Sequence, residues 1–308
     1  MIIHILSKVG ALFLILAVGA LVRYKKVITA DALGVLSNIV LYVTLPFLFI
    51  YVLSSRCIGS TLLSLWPAPV MSAAIIFTGW VMALAAAALL RLSPERRGTF
   101  LFLVSFQNSG FLAIPLAFAL FGEDGVLNVI IFNVGFNALF FTFGAWLLSH
   151  SKGSIKKDLL KNLMNTTMAA LLVGVLLGAF CIELPKFLLD AAKMLGDVTI
   201  PLAMLVAGAM LAGNGFKKAM YTKEMVSLVF LKLVLMPLVF LLAVRYVGQA
   251  GTLLGAIVVL QASMPSASLT PLMAKRFGGD YDLAASGVFV TTLVSIITIP
   301  FFMSLALR

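Results

Sequence analysis

The stretch "FQNSGFLAIP", residues 106–115, interrupts an apolar run with three polar side chains, a glycine and a proline. A second stretch, "QASMPSASLTP" at residues 261–271, does the same near the other end of the chain. Proline and glycine are residues at which long helices kink, and proline also removes a backbone hydrogen-bond donor. Both stretches therefore predict a helix that unwinds partway along its length.

The composition places these stretches in a membrane. Hydrophobic residues make up 62% of the 308-residue chain, charged residues make up 11%, and the mean hydropathy is +1.15. Soluble domains carry roughly 25% charged residues, so this chain cannot cover a water-facing surface. We expect a multi-pass protein of the cell (inner) membrane, surrounded by the lipid bilayer and without a soluble domain.

Apolar runs between charged residues and Gly/Pro breaks predict ten membrane spans, and hence an all-α integral membrane protein. Their approximate limits are 4–22, 32–53, 63–90, 99–121, 126–148, 159–181, 187–212, 225–246, 251–274 and 284–306.

Basic residues are distributed unevenly between the two predicted sides of the membrane. An N-terminus outside the cell places fifteen lysines and arginines on inner loops and six on the outer side. Because basic residues collect on cytoplasmic loops, this asymmetry predicts that both termini are outside. The same rule accounts for the net charge of +11 without a nucleic-acid partner.

Short echoes in the sequence indicate an internal duplication. "VTLP" at 43–46 returns as "VTIP" at 198–201, and "FGED" at 121–124 returns as "FGGD" at 277–280. The echoes keep their order and nearly the same spacing, which is the signature of a repeat.

The duplication predicts two five-helix repeats, 1–150 and 151–308. Since five is an odd number, the second repeat is inverted relative to the first, as in many secondary transporters. The two broken stretches then fall in the symmetry-related fourth and ninth spans. Unwound backbone at membrane depth is tolerated only beside protein or a water-filled cavity. Half-helix N-termini also attract anions, so we predict a binding site where the breaks meet.

Polar residues at and near the breaks are the candidate substrate-binding residues. Asn133 and Asn137 lie one turn apart on the fifth span, where they either line the cavity or bond neighbouring helices. Lys232, inside the eighth span, either faces the cavity or reaches the membrane surface with its long side chain. We expect Asn108 and Ser266 to contact one substrate carboxylate from opposite repeats. The complete candidate set is Gln107, Asn108, Ser109, Gly110, Asn133, Asn137, Lys232, Gln261, Met264, Pro265, Ser266 and Ser268.

These motifs resemble the auxin efflux carrier family over nearly the whole chain. The most specific parts are "NSGFLAIPL", "FGEDG", "QASMPSAS", "MAKRFGGD" and the closing "SGVFVTTLVSIITIPF". The resemblance implies ten transmembrane helices in two inverted five-helix repeats, with broken, crossing fourth and ninth helices, and a homodimer. It also implies that Asn108 and Pro265 lie at the crossing, beside the substrate.

The resemblance further implies an elevator-type carrier that works by alternating access. A scaffold of residues 1–55 and 159–213 would hold a moving transport part of residues 62–149 and 224–306. The family includes plant auxin exporters and bacterial carriers of malate and malonate. Gln107 stands where plant carriers commonly have a proline, and the central loop is short. We therefore expect a bacterial-type carrier of small organic anions, such as malate or malonate, in preference to auxin-like acids.

Three other functions stay open at this stage: a sodium-coupled carrier of the related bile-acid type, an anion channel and a membrane enzyme. Polarity is concentrated at two breaks, whereas a channel needs a continuous polar stripe. No acid–base or metal-ligand cluster is evident, so we predict no catalytic residue, no metal and no cofactor. Cys57 and Cys181 lie near predicted outer helix ends, and the sequence leaves a disulfide between them open.

The predicted topology can be tested by labelling single cysteines from outside intact cells. A cysteine introduced at Leu307 should react with an impermeant thiol reagent, because the C-terminus is expected outside. A cysteine at Ser154, in the basic central loop, should react only after the cells are opened. Labelling of the Ser154 position in intact cells would overturn the topology.

Overall fold

The computed structural model describes residues 2–59, 64–149, 166–213 and 222–307, and these residues are almost entirely helical. The helices of the first half are α1 Ile2–Tyr24, α2 Ala30–Ile39, α3 Leu45–Ser54, α4 Pro67–Leu89, α5 Pro94–Ser105, α6 Ala113–Leu139 and α7 Ala145–Leu148. Those of the second half are α8 Thr166–Ala179, α9 Lys186–Asp197, α10 Thr199–Gly213, α11 Lys223–Phe230, α12 Met236–Tyr246, α13 Leu253–Ala262, α14 Thr270–Phe277 and α15 Tyr281–Ala306.

Single π-helical turns join several of these helices into longer spans. The turn Val40–Thr44 joins α2 to α3, and the turn Leu231–Leu235 joins α11 to α12. Each precedes a proline, Pro46 or Pro237, at the start of the following helix. Proline cannot donate a backbone bond and its ring crowds the carbonyl four residues earlier, so a widened turn relieves the clash.

Six helical segments in the described residues are long and apolar enough to cross a membrane. They are Asp31–Ser54, Pro67–Leu89, Ala113–Leu148, Lys186–Ala212, Lys223–Tyr246 and Tyr281–Ala306. Shorter apolar helices cover Val9–Tyr24, Thr166–Ala179 and Leu253–Ala262. The expectation of a multi-pass membrane protein is confirmed at this level, whereas the ten-span inverted repeat stays a prediction.

The breaks in the two polar stretches occur where the sequence predicts them. The backbone is not α-helical between α5 and α6, or between α13 and α14. The predicted gap between the fourth and fifth spans also coincides with a break in helical geometry, a kink inside α6 at Gly122, where φ is 66°. Asp197 is the last residue of α9 and accepts a hydrogen bond from Lys193 at 2.8 Å.

The closest helix packing joins the two halves of the chain. Helix α1 packs along α10, and their backbones approach at two glycines. A Cβ atom on Gly19 would lie 2.1 Å from the carbonyl oxygen of Leu205, and one on Gly208 would lie 1.8 Å from that of Leu16. Membrane helices commonly use glycine for such close contact. Helix α3 packs against α8 and α9 in the same region.

A disulfide fastens α3 to α8. Cys57 follows α3 and Cys181 follows α8, and their Cα atoms are 4.6 Å apart. The neighbouring backbone is paired as well, since Ile58 N–H donates to the Gly178 carbonyl at 2.9 Å. The two cysteines that the sequence left undecided are therefore partners, across a sequence separation of 124 residues.

Thiol counting tests this pairing directly, because the chain contains only two cysteines. Protein unfolded in detergent without reductant should bind no maleimide, and reduction should release two reactive thiols. The Cys57→Ser variant provides the control, since its Cys181 should bind one maleimide under both conditions. Two labels on the unreduced wild-type chain would show that the bond does not form.

Candidate functional site

The two helix breaks lie side by side and are joined by backbone hydrogen bonds. Asn108 N–H donates to the Pro265 carbonyl at 2.8 Å, and Ala267 N–H donates to the Phe106 carbonyl at 3.0 Å. These bonds flank an antiparallel bridge between Gln107 and Ser266. Each unwound segment thus supplies partners that the other has lost by leaving its helix.

The C-terminal end of α5 is closed by side chains from the second half of the chain. A helix leaves its last carbonyls without helical partners. The Leu103 carbonyl accepts from the Ser266 hydroxyl at 2.7 Å, and the Val104 carbonyl accepts from the Lys232 ammonium at 2.8 Å. Both donors are fully buried, with 0% of their surface exposed. Ser266 and Lys232 therefore hold the first break in shape.

On the other side of the break, Asn108 joins the two halves through its side chain. Its amide nitrogen donates to the Ser268 hydroxyl at 2.7 Å, and its amide oxygen accepts from Phe111 N–H at 3.2 Å. The second bond orders the turn that leads into α6. Asn108 is thereby fixed where the two breaks meet.

Ser109 is fixed by a residue from the predicted fifth span. Its hydroxyl bonds to the side-chain oxygen of Asn133, whose amide nitrogen donates back to the Ser109 carbonyl at 3.3 Å. Of the two roles left open for Asn133, the structure supports both, since the residue bonds a neighbouring segment and also lines a cavity.

A cavity of about 230 Å³ lies beside the paired breaks. Seven of the twelve residues selected from the sequence line it: Gln107, Asn108, Ser109, Gly110, Asn133, Asn137 and Ser268. The five that lie elsewhere are Lys232, Gln261, Met264, Pro265 and Ser266.

Two of those five correct specific expectations. Ser266 does not share a ligand-facing position with Asn108, because its hydroxyl is turned to the Leu103 carbonyl; Ser268 is the serine that meets Asn108. Lys232 neither lines the cavity nor reaches the membrane surface, since its ammonium is buried against Val104. The sequence shows how deep a residue such as Lys232 lies along its helix. It does not show which carbonyl of a neighbouring helix lacks a hydrogen-bond partner.

Two buried side-chain amides, those of Gln107 and Gln261, have no hydrogen-bond partner among the described residues. Unpaired buried amides are costly. Gln107 belongs to the cavity lining, but its side chain is fully buried, so its amide is not exposed to the cavity in this conformation. Asn137, half-buried on the cavity wall, offers a polar side chain to a bound molecule.

The lining also contains residues that the sequence reasoning did not select. Nine of these fifteen residues are aromatic or polar: Asn38, Tyr42, Phe49, Phe111, Phe136, Phe140, Phe141, Thr167 and Arg276. Arg276 is the single charged residue among the described lining residues, and the charge pattern of the sequence places it at a predicted inner loop. The sequence does contain a pattern that indicates this position for Arg276. It lies on one helix face with Leu269, Leu272 and Met273, at the spacing i, i+3, i+4 and i+7.

An ion-pair cluster lies apart from the cavity, around the kink in α6. Arg56 pairs with Glu123 at 2.8 Å and also bonds Asp124, while Tyr51 donates to Glu123 at 3.3 Å. The hydrogen bond to Asp124 raises the pKa of the Arg56 guanidinium above its usual value. The described residues contain no group of three metal-ligating side chains, in this cluster or around the cavity.

Membrane helices arranged around a cavity with a few convergent polar groups at two helix breaks are the architecture expected of a membrane transport protein. Sequence comparison agrees: a family model described as "Membrane transport protein" matches residues 4–303. The chain therefore belongs to this family, the auxin efflux carrier family that its motifs resemble.

Three relatives illustrate the family. An uncharacterized transporter of Methanocaldococcus jannaschii is 25% identical over 93% of this chain and 94% of its own length. Another, of Methanothermobacter thermautotrophicus, is 30% identical over 64% of each chain. A Rhizobium meliloti protein, whose name provisionally assigns it malonate transport, is 24% identical over 87% of this chain and 85% of its own length.

The two serines of the second break should differ in their effect on stability. Ser266→Ala leaves the Leu103 carbonyl buried without a partner, which costs about 1–3 kcal/mol. Ser268→Ala frees the Asn108 amide beside a cavity that water can enter, so its cost should be about 1 kcal/mol or less. Thermal unfolding midpoints in detergent should therefore fall further for Ser266→Ala. The reverse order would contradict this assignment.

Proposed function

We propose that the protein is a secondary carrier for small organic anions, of the carboxylate class that includes malate and malonate. The observation that supports this most directly is the hydrogen-bonded pair of helix breaks beside a cavity. Seven residues selected independently from the sequence line that cavity. Paired discontinuous helices with a site between them are typical of secondary transporters.

The local chemistry favours an anion. Gly110 and Phe111 line the cavity just before α6 begins, and Ser268 and Leu269 do so just before α14 begins. The N-terminal ends of both half-helices therefore adjoin the cavity. Such ends carry partial positive charge, which attracts carboxylates without a formal charge. Neutral amides and hydroxyls nearby add hydrogen bonds.

Malonate is a reasonable first substrate to test, since it appears in the name of the Rhizobium meliloti relative. The aromatic part of the lining would also accept the apolar part of a larger acid, including an auxin-like one. The binding assays therefore include indole-3-acetate beside malonate and malate.

The proposed mechanism is elevator-type alternating access. Residues 1–55 and 159–213 form the scaffold, and 62–149 and 224–306 form the transport part. Two contacts fit this division. The glycine-mediated α1–α10 packing joins scaffold helices. Arg96 bonds Glu224 at 2.9 Å and Asp280 at 3.2 Å, which ties three segments of the transport part together.

The orientation goes with this proposal: an inner-membrane protein with both termini outside. Arg276 and Thr167 line the cavity next to predicted inner loops, and the Cys57–Cys181 disulfide lies at predicted outer helix ends. Disulfides persist in oxidising compartments, which agrees with that side being external. The homodimer stays a prediction from the family resemblance.

Counterflow in proteoliposomes tests the function. Vesicles loaded with unlabelled malonate should accumulate external labelled malonate against its gradient, since a carrier exchanges substrate across the membrane. A channel gives flux without this stimulation, and a sodium-coupled carrier needs a sodium gradient. Absence of binding and flux for malonate, malate and indole-3-acetate would overturn the proposal.

Asn108→Ala should weaken carboxylate binding without unfolding the protein. Loss of a hydrogen bond to a charged partner costs about 1.5–3 kcal/mol, so the malonate Kd should rise roughly ten-fold to a hundred-fold. Calorimetry on the purified variant measures this change. Asn128→Ala is the matched control, because Asn128 is also buried, lies on α6 and bonds the Asp124 carbonyl away from the cavity. Equal Kd values for the two variants would remove Asn108 from the site.

A further inference from the structure

Arg276 occupies an unusual position for an arginine in this chain. It is the single charged side chain among the described residues that line the cavity. It is exposed and makes no ion pair with a carboxylate in the described ranges, and its guanidinium lies 5.5 Å from the centre of the Phe277 ring. Arg56 and Arg96, by contrast, are each paired with two acidic residues. The charge of Arg276 is therefore free to meet a ligand.

The geometry of α14 directs this charge along the cavity. Leu269, Leu272, Met273 and Arg276 all line the cavity, at the spacing i, i+3, i+4 and i+7 that defines one face of a helix. Seven residues at a rise of about 1.5 Å each separate Leu269 from Arg276 by roughly 10 Å. Arg276 and residues of the paired breaks therefore line one and the same cavity, at opposite ends of this helix face.

We propose that Arg276 determines specificity by binding the second carboxylate of a dicarboxylate whose first carboxylate is held at the paired breaks. This inference rests on the proposed function and adds the feature that separates dianions from monoanions. The paired breaks offer the side chains of Asn108 and Ser268, which carry no formal charge. They can hold one carboxylate, but they cannot neutralise a second.

A guanidinium suits this second position for two reasons. It stays charged at all physiological pH values, and its planar fork matches both oxygens of a carboxylate. A lysine at the same place keeps the charge but loses the two-point geometry. A short monocarboxylate at the breaks does not reach Arg276, so its affinity should not depend on this residue.

The test compares malonate and succinate with acetate and propionate. Binding is measured by calorimetry on wild-type protein and on Arg276→Gln, Arg276→Lys and Lys275→Gln. Lys275 is the matched control, since it is the adjacent exposed cation on α14 and does not line the cavity. Size-exclusion profiles and unfolding midpoints establish that each variant is folded, as expected for changes at exposed positions.

Arg276→Gln should raise the Kd for the dicarboxylates roughly ten-fold to a hundred-fold, as expected for one charged hydrogen-bonded contact. Its Kd for monocarboxylates should change less than about two-fold, and Arg276→Lys should fall between wild type and Arg276→Gln. Lys275→Gln should leave both classes of acid within about two-fold of wild type, because that charge lies outside the lining.

Two results would overturn the inference while leaving the proposed function in place. One is an equal loss for mono- and dicarboxylates in Arg276→Gln, which indicates general attraction of anions. The other is equal behaviour of Arg276→Gln and Lys275→Gln, which indicates no direct contact. If the wild-type protein binds neither class of acid, this inference fails; if it also neither binds nor transports malate and indole-3-acetate, the proposed function fails with it.

Discussion

The structure depends on how the backbone polar groups of two broken helices find partners inside a membrane protein. Lipid offers none, and each unpaired group would cost several kcal/mol. Here the breaks satisfy each other through the bonds from Asn108 to Pro265 and from Ala267 to Phe106. Side chains complete the set, with Ser266 and Lys232 on the last carbonyls of α5. The cavity forms on the remaining side, where Asn108 and Ser268 meet.

Some residues at the breaks pair with backbone groups, and others line the cavity. The sequence predicts where the breaks lie, but not which residue has which of these two roles. Glycine, proline and polar residues in an apolar run indicate a break, and their repetition in both halves indicates that the breaks belong together. Those signals located both breaks and seven of the cavity-lining residues. Which serine faces the cavity is decided by rotation of an unwound chain, for which no periodicity rule exists. Ser266 was therefore chosen where the structure places Ser268.

The sequence also does not predict which residues far apart in the chain contact each other. Lys232 lies 128 positions from Val104, and Cys57 lies 124 from Cys181. Local sequence patterns do not indicate contacts between residues so far apart in the sequence. A buried lysine inside a span indicates function by default, because its charge is expensive in lipid. In this protein the charge-bearing group is used to close the end of a helix. Arg276 is the opposite case. It lies at a predicted inner loop, where a charge indicates only membrane topology, yet it lines the cavity on one face of α14.

The ion pairs distinguish contacts that a moving transport part would keep from those that it would break. Arg96, Glu224 and Asp280 all belong to the proposed transport part, so their bonds would travel with it. Arg56 follows α3, which belongs to the proposed scaffold, whereas Glu123 and Asp124 lie at the kink of α6, in the proposed transport part. A sliding motion would separate this second set and expose its charges to water. Because partly exposed ion pairs contribute little free energy, such a contact can hold one state without blocking the transition. In the proposed motion, the disulfide beside Arg56 would keep that residue in place while Glu123 and Asp124 move.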